Sequence, residues 1–323
     1  MAQRASISVV IPSYNSEKYI GQTLQSICDQ TVSDWECVVV DDGSTDGTPQ
    51  VIREMARKDD RIRLIEQRNG GPAAARNNGM ASISAGSQYI AFMDHDDVWL
   101  PDALAVLRDT LEAHPESIAA HGLADTIDAE GQPADHARAD GGFTNFGRKR
   151  MACENGRLVP LDLSKPTTFA SLYPISRLFP LGLVMIRHDV MRAVGGFDTS
   201  YHQTEDWDMW LRLARKGEFQ FINRVLLHYR RHSNNQSSDM AANAREVRRL
   251  LCKHYYSKEN NPRQRQIVRG GFRALHHDKM TQKAEWAREH WHARRYRMAA
   301  KTVLEIAWHA VLYVRGFPTP LGI

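Results

Sequence analysis

Three carboxylates fall within four positions at Asp94-His95-Asp96-Asp97, directly after the apolar run Tyr89-Ile90-Ala91-Phe92-Met93. Hard oxygen ligands of this kind suit Mg²⁺ or Mn²⁺, and those ions in turn suit a diphosphate. Alone, the cluster reads equally well as an acidic turn ahead of a helix, since Pro101-Asp102 has the form of a helix start. A second acidic pair, Glu205-Asp206, opens the segment Glu205-Asp206-Trp207-Asp208-Met209-Trp210. A carboxylate with a modestly raised pKa can take a proton from a hydroxyl. The plainer alternative is a first-turn charge pair favoured by the helix dipole. A third pair, Asp41-Asp42, follows Trp35-Glu36-Cys37-Val38-Val39-Val40 and opens a polar loop through Thr48. An Asx-turn or helix cap would use one carboxylate of that pair and leave the other for a ligand.

These residues need elements to hold them. Ile7-Ser8-Val9-Val10-Ile11 reads as a buried parallel strand ending at the turn Pro12-Ser13-Tyr14-Asn15. A helix is expected from about 16 to 30, with Ile20, Leu24 and Ile27 on one face. Trp35–Val40 is a second strand, Ile62-Arg63-Leu64-Ile65 a third and Tyr89–Met93 a fourth. Gly71-Pro72 opens a helix running to about Ser84. Strand and helix alternate, so the pattern predicts a doubly wound, Rossmann-like α/β sheet, mixed but mostly parallel, with a nucleotide as its ligand. Active groups then collect outside the carboxyl ends of the strands. Residues 125–165, rich in Gly, Asp, Arg and Ala, read as a loop excursion.

Several function classes drop out. No G-x-G-x-x-G follows the first strand and no G-x-x-x-x-G-K-[ST] occurs, which argues against dinucleotide binding and P-loop chemistry. Cys28, Cys37, Cys153 and Cys252 are far apart, with no C-x-x-C pair, which fits a reducing cytosol better than a zinc site or disulfide framework. No signal-peptide pattern opens the chain and no stretch is apolar enough to span a membrane, so a cytoplasmic protein is expected. The formal charge of +4 is unevenly spread: residues 241–323 hold 17 Lys and Arg against 6 Asp and Glu, leaving −7 on residues 1–240. No nucleic-acid recognition motif accompanies the basic part.

Four segments, in order, are Pro12-Ser13-Tyr14-Asn15, Asp41-Asp42-Gly43-Ser44, Asp94-His95-Asp96-Asp97 and Glu205-Asp206-Trp207-Asp208-Met209-Trp210-Leu211-Arg212. This set resembles the inverting family-two glycosyltransferases of GT-A fold, over residues 6–235. The resemblance implies transfer of a sugar, of the hexosyl type, from a nucleotide-diphosphate sugar (a UDP-sugar by family habit) to a hydroxyl of a glycan or lipid-linked cell-envelope acceptor. It implies a donor site that includes Pro12, Tyr14, Asn15, Asp42, Arg76, Asp94, Gly195 and Gly196. Within it, Asp42 accepts the N3–H of the base, Tyr14 lies against the base plane, and Asp94 sits near the ribose. Gly70–Gly79 resembles the segment beside the nucleotide, where Arg76 meets the diphosphate or pairs with an aspartate. A Mn²⁺ or Mg²⁺ ion would be held by Asp96, with Asp94 and His232 as further ligands; His232 ends a Tyr-Arg-x-His pattern. Arg230 and Arg231 are candidates to close over the diphosphate, and Asn234–Ser238 to act as a lid. Asp206 matches the general base, with Glu205 orienting the acceptor or a helix end.

The competing classes are a sugar-nucleotidyltransferase, which lacks its N-terminal Gly-rich loop with a basic residue here, and a nucleotide-sugar-binding scaffold or regulator without turnover. The expected division is a GT-A domain over 1–240, with a nucleotide half (1–124) and an acceptor half (166–240), then a helical basic region over 241–323. There, Val247, Leu250, Leu251, Tyr255, Trp286, Trp291 and Tyr296 recur at helical spacing among Arg294, Arg295, Arg297 and Lys301. Such a stripe serves either packing on the domain or peripheral association with an anionic membrane, at the inner face of the cell membrane.

Overall fold

The apolar run Ile7–Ile11 is buried on both faces, as a central parallel strand must be, and it forms β1 (Ile7–Ser13), covered along its whole length. The computed structural model describes residues 5–134, 151–154, 157–160, 162–174, 178–233 and 240–315. β1 pairs in parallel with β2 (Trp35–Asp41) on one side and β4 (Tyr89–Phe92) on the other, and β2 pairs in parallel with β3 (Ile62–Glu66). The sheet order is β3-β2-β1-β4-β9-β6-β10-β5, with β5 (Val98–Trp99), β6 (Ala119–Ile127), β9 (Val184–Arg187) and β10 (Phe219–Arg230). β9 runs antiparallel to both β4 and β6, and β5 runs antiparallel to β10, while β6 and β10 are parallel. The sheet is therefore mixed and mostly parallel.

Helices α1 (Ile20–Cys28), α2 (Thr48–Lys58), α3 (Pro72–Ala81) and α4 (Ala103–Ala113) lie between these strands in the chain. Ile20, Leu24 and Ile27 are the buried stripe of α1. α3 has no comparable large side chains. Small residues bring it close to the sheet instead: Ala75 packs with Val38 and Val40, and a Cβ on Gly79 would lie 2.4 Å from Val10 Cγ1. That approach holds the start of α3 beside the ends of β1 and β2.

The chain divides into two compact units. The first contains 1–149, 162–168 and 177–246, and so holds the sheet, α1–α4, α6 (His188–Val194) and α7 (Glu205–Leu213). The second contains 150–161, 169–176 and 247–323. It includes the hairpin β7 (Met151–Glu154) and β8 (Arg157–Pro160), the short α5 (Phe169–Leu172), most of α8 (Met240–Tyr255), the long α9 (Pro262–His292) and α10 (Tyr296–Arg315). The 125–165 stretch is thus no plain excursion: β6 runs through Ile127 and a hairpin forms further on, while 135–150 lie outside the described residues.

In the second unit, Asn261 and Gln264 form a reciprocal capping box at the start of α9. Gly271 in its middle lets the Tyr173 ring and Pro174 approach to 3.0 Å of where a Cβ would stand. His276 Nδ1 and His309 Nδ1, 2.9 Å apart, link α9 to α10. Among the described residues no helix is long and apolar enough to cross a membrane.

Candidate active site

The first turns after β1 and β2 are tied to each other. Asn15 sits at φ 46°, a left-handed conformation that Asn tolerates because its short amide bonds locally. Its Oδ1 accepts from Thr45 N at 2.8 Å, and its own N–H donates to Ser44 Oγ at 2.9 Å. Tyr14 beside it is 45% exposed, its ring turned out where a flat ligand can reach it. Pro12, the penultimate residue of β1, presents its carbonyl to His95 Nδ1 at 3.3 Å.

The two acidic residues after β2 divide their work. Asp41 Oδ2 accepts from Ser44 N at 3.1 Å, the Asx-turn use. Asp42 reaches across to the start of α3. Its Oδ1 accepts from Gln67 Nε2 at 2.7 Å and Gly70 N at 2.8 Å, and its Oδ2 accepts from Gly71 N at 2.8 Å. A carboxylate has about four lone-pair sites, so one remains, on Oδ2.

α3 carries the charge at the centre of the site. Arg76 is buried and donates Nη1 to Glu205 Oε1 at 2.7 Å and Nη2 to Asp94 Oδ1 at 2.8 Å. Burial works against its charge, but the Asp94 and Glu205 carboxylates outweigh it and lift its pKa above the ordinary arginine value. Of the two partners left open for Arg76, the aspartate is the one present. The next residue, Asn77, clamps the Gly195-Gly196 turn: its Oδ1 accepts from Phe197 N at 2.7 Å and its Nδ2 donates to Phe197 O at 2.9 Å. Both glycines have φ above 80°, and a Cβ on Gly196 would stand 2.6 Å from Asn77 Oδ1.

The β4–β5 turn holds the remaining carboxylates. Asp96 Oδ2 lies 2.9 Å from His232 Nε2, whose ring stacks on Tyr19 with centroids 4.8 Å apart. An oxygen and an imidazole nitrogen thus converge just past β4. A set of three His, Cys, Asp or Glu ligands does not form among the described residues. Two protein ligands plus diphosphate oxygens make a reasonable shell for Mg²⁺ or Mn²⁺, so the pair fits such an ion. Asp97 is fully buried and accepts from Arg230 N at 3.0 Å. Burial, then the charges of Asp96 and Asp94, push its pKa well above the usual carboxylate range. Arg230 is no diphosphate clamp here: it is buried, with Nε on the Asp96 carbonyl at 2.9 Å and Nη2 on Gln22 Oε1 at 2.5 Å. Residues Asn234–Ser238 lie outside the described residues.

Glu205 and Asp206 open α7. Glu205 is buried on Arg76, and its Oε2 has no hydrogen-bond partner among the described residues. Asp206 Oδ1 accepts from the Trp207 N–H at 2.6 Å. Its surface stays partly open although protein surrounds it. Burial, then the Glu205 charge, raise its pKa to about 7. Sequence reasoning missed what holds this turn in place. Glu246 accepts from His202 N at 3.0 Å and Gln203 N at 2.8 Å, fixing the backbone just before Glu205. Asn77, Gln67 and Tyr19 were equally silent, because each works through a partner remote in sequence.

Known proteins resemble the chain in sequence and in fold. Residues 8–164 match the family model for glycosyl transferase family 2. The chain is 41% identical over 99 residues to the putative teichuronic acid biosynthesis glycosyltransferase TuaG of Bacillus subtilis, covering 30% of this chain and 38% of TuaG. It spans about a third of the length of the curated relatives it matches. Among solved structures it is similar to the mannosyltransferase PcManGT from Pyrobaculum calidifontis in complex with GDP-Man and Mn²⁺ (TM-score 0.63, 21% identity, covering 98% of this chain and 80% of that one). It is also similar to S. aureus TarS 1–349 in complex with UDP-GlcNAc (TM-score 0.62, 20% identity, 84% and 72% covered). Fold and family model agree: the chain has the GT-A fold, and its residues 8–164 match glycosyl transferase family 2.

Proposed function

We propose that this chain transfers a sugar from a UDP-sugar to a hydroxyl of a cell-envelope glycan or lipid-linked acceptor, with inversion at the anomeric carbon. The observation that carries the reading is Asp206: a partly exposed carboxyl at the head of α7, its pKa raised to about 7 by burial and then by the Glu205 charge. A base poised near the working pH takes a proton most effectively. Because Oδ1 is engaged by the Trp207 N–H, Oδ2 takes the acceptor proton. The acceptor oxygen then bonds to the anomeric carbon as the bond to the diphosphate breaks on the opposite face. Glu205, held by Arg76, leaves its second oxygen to orient the acceptor. A divalent ion held by Asp96 and His232 would offset the charge that builds on the leaving diphosphate.

The donor base falls to Asp42 and Tyr14. The single lone-pair site left on Asp42 matches the one imide N–H of uracil better than the paired N–H donors of guanine. Tyr14, exposed at the rim, offers a stacking face. The acceptor class rests on the kinship with TuaG, and such an acceptor would place the enzyme at the inner face of the cell membrane. A thermal-shift panel of nucleotide sugars with Mn²⁺, followed by turnover assays on Asp206→Asn, tests the whole. A UDP-sugar should stabilise the wild type and the variant alike, while turnover in the variant falls about 10²- to 10⁴-fold. NMR of the product should show inverted anomeric configuration. Undiminished turnover in Asp206→Asn would sink the assignment of the base, and retention would sink the single displacement.

A further inference from the structure

α10 packs by one face and leaves the other open. Ala299 and Thr302 are buried, whereas Val303, Leu304, Trp308 and Val311 are exposed, Leu304 to 73%. Their spacing puts them on one side of the helix. α9 adds Trp286 and Trp291 to the exposed apolar surface, the latter 62% exposed. The two helices share a hollow of about 260 Å³ lined by Trp291, Arg288, Ala300 and Val303, so the exposed apolar face of α10 continues onto Trp291 of α9. Scattered exposed apolar residues are ordinary, but a joined patch marks a surface with a partner.

The turn between the helices is closed without glycine. Arg294 sits at φ 58°, the Arg295 N–H donates to the His290 carbonyl at 2.8 Å, and the Arg294 N–H donates to the Trp291 carbonyl at 3.0 Å. This is a Schellman turn with an arginine in the left-handed position. Between Trp286 and Leu304 stand Arg288, Arg294, Arg295, Arg297 and Lys301 against a single acidic residue, Glu289. The exposed apolar residues are therefore interspersed along both helices with positive charge and tryptophans. Tryptophan beside Lys and Arg around an apolar face is what the headgroup boundary of an anionic bilayer selects.

We propose that the α9–α10 hairpin docks on an anionic lipid bilayer, with Trp291, Val303 and Leu304 entering the headgroup–acyl boundary and Arg294, Arg297 and Lys301 meeting lipid phosphates. The contact is reversible and in the plane of the surface, and it is independent of the chemistry in the first unit. Flotation of the full chain with phosphatidylglycerol–phosphatidylcholine vesicles tests it, beside phosphatidylcholine vesicles alone. The chain should float with the anionic vesicles, less so at high salt, and not with the neutral ones. Trp291→Ser/Leu304→Ser and Arg297→Glu/Lys301→Glu, all at exposed positions, should each lower vesicle affinity about tenfold, with the circular dichroism and nucleotide-sugar thermal shift unchanged. Asp206→Asn should float like the wild type, which separates this proposal from the one on catalysis. A chain that stays at the bottom of the gradient with anionic vesicles overturns the docking, as do variants that float undiminished. A dimer in solution that Trp291→Ser/Leu304→Ser breaks also overturns it, because a second copy then covers the face.

Discussion

The end of β2 and the start of α7 each present a carboxylate, and the protein surrounds the two in opposite ways. Asp42 receives three N–H donors from one loop, so it is tied to the backbone that leads into α3. Asp206 receives only the N–H of the residue that follows it, with Glu205 alongside, and its pKa rises to about 7. Donors that converge on a carboxylate fix it as an acceptor; burial, and then a neighbouring like charge, make it receptive to a proton. The same side chain is thus held for a positional task at one strand end and, on the proposed reading, for proton transfer at the head of α7, and burial and neighbours make the difference.

The comparison can be pressed hardest at Asp206. Beyond the loss of turnover in Asp206→Asn, the wild-type rate should climb with pH through about 7 as the carboxylate forms, and a flat profile would break the contrast. Next in size, Arg76→Met strips the buried counter-charge from Glu205 and Asp94. Breaking a buried pair of this kind costs about 3–5 kcal/mol, to be read by denaturant unfolding. Because Arg76 lowers the Asp206 pKa, its removal should also move the rate profile to higher pH. Asp42→Ala leaves the Gly70 and Gly71 N–H groups without their acceptor and should cost about 1–3 kcal/mol, together with lost affinity for the donor but an unshifted pH profile. A shifted profile would mean the two carboxylates are coupled. A last effect is on the pH dependence of stability. Asp206 binds its proton more tightly folded than unfolded, so stability should fall as pH rises from about 4, the ordinary Asp value, to about 7. Asp206→Asn should flatten that slope.

Much of the sheet was legible because its strands are short continuous apolar runs that stop at polar turns, and Ile7–Ser13, Trp35–Asp41, Ile62–Glu66 and Tyr89–Phe92 all follow that rule. The hairpin at 151–160 was not, since strands of four residues in a polar stretch carry no period to read. Within the site, clustered residues announced themselves. Glu246 did not, because its work is done on backbone N–H groups more than forty positions away. Arg230 misled in the other direction: next to a histidine and among charges it reads as a ligand clamp, yet its guanidinium is spent on carbonyls and Gln22. Exposure decides such cases, and charge patterning along a sequence does not report it.

α3 is gripped at three points by three different parts of the first unit. Its leading glycine is bound by Asp42, Arg76 spans Asp94 and Glu205, and Asn77 holds the turn at Gly196 and Phe197. On the proposed reading, donor choice and reaction rate are consequently not separate dials. A substitution that re-seats the nucleotide by shifting the head of α3 will also drag the residue that steadies Glu205. Libraries aimed at a new nucleotide should therefore leave positions 70–77 fixed and vary the rim around Tyr14.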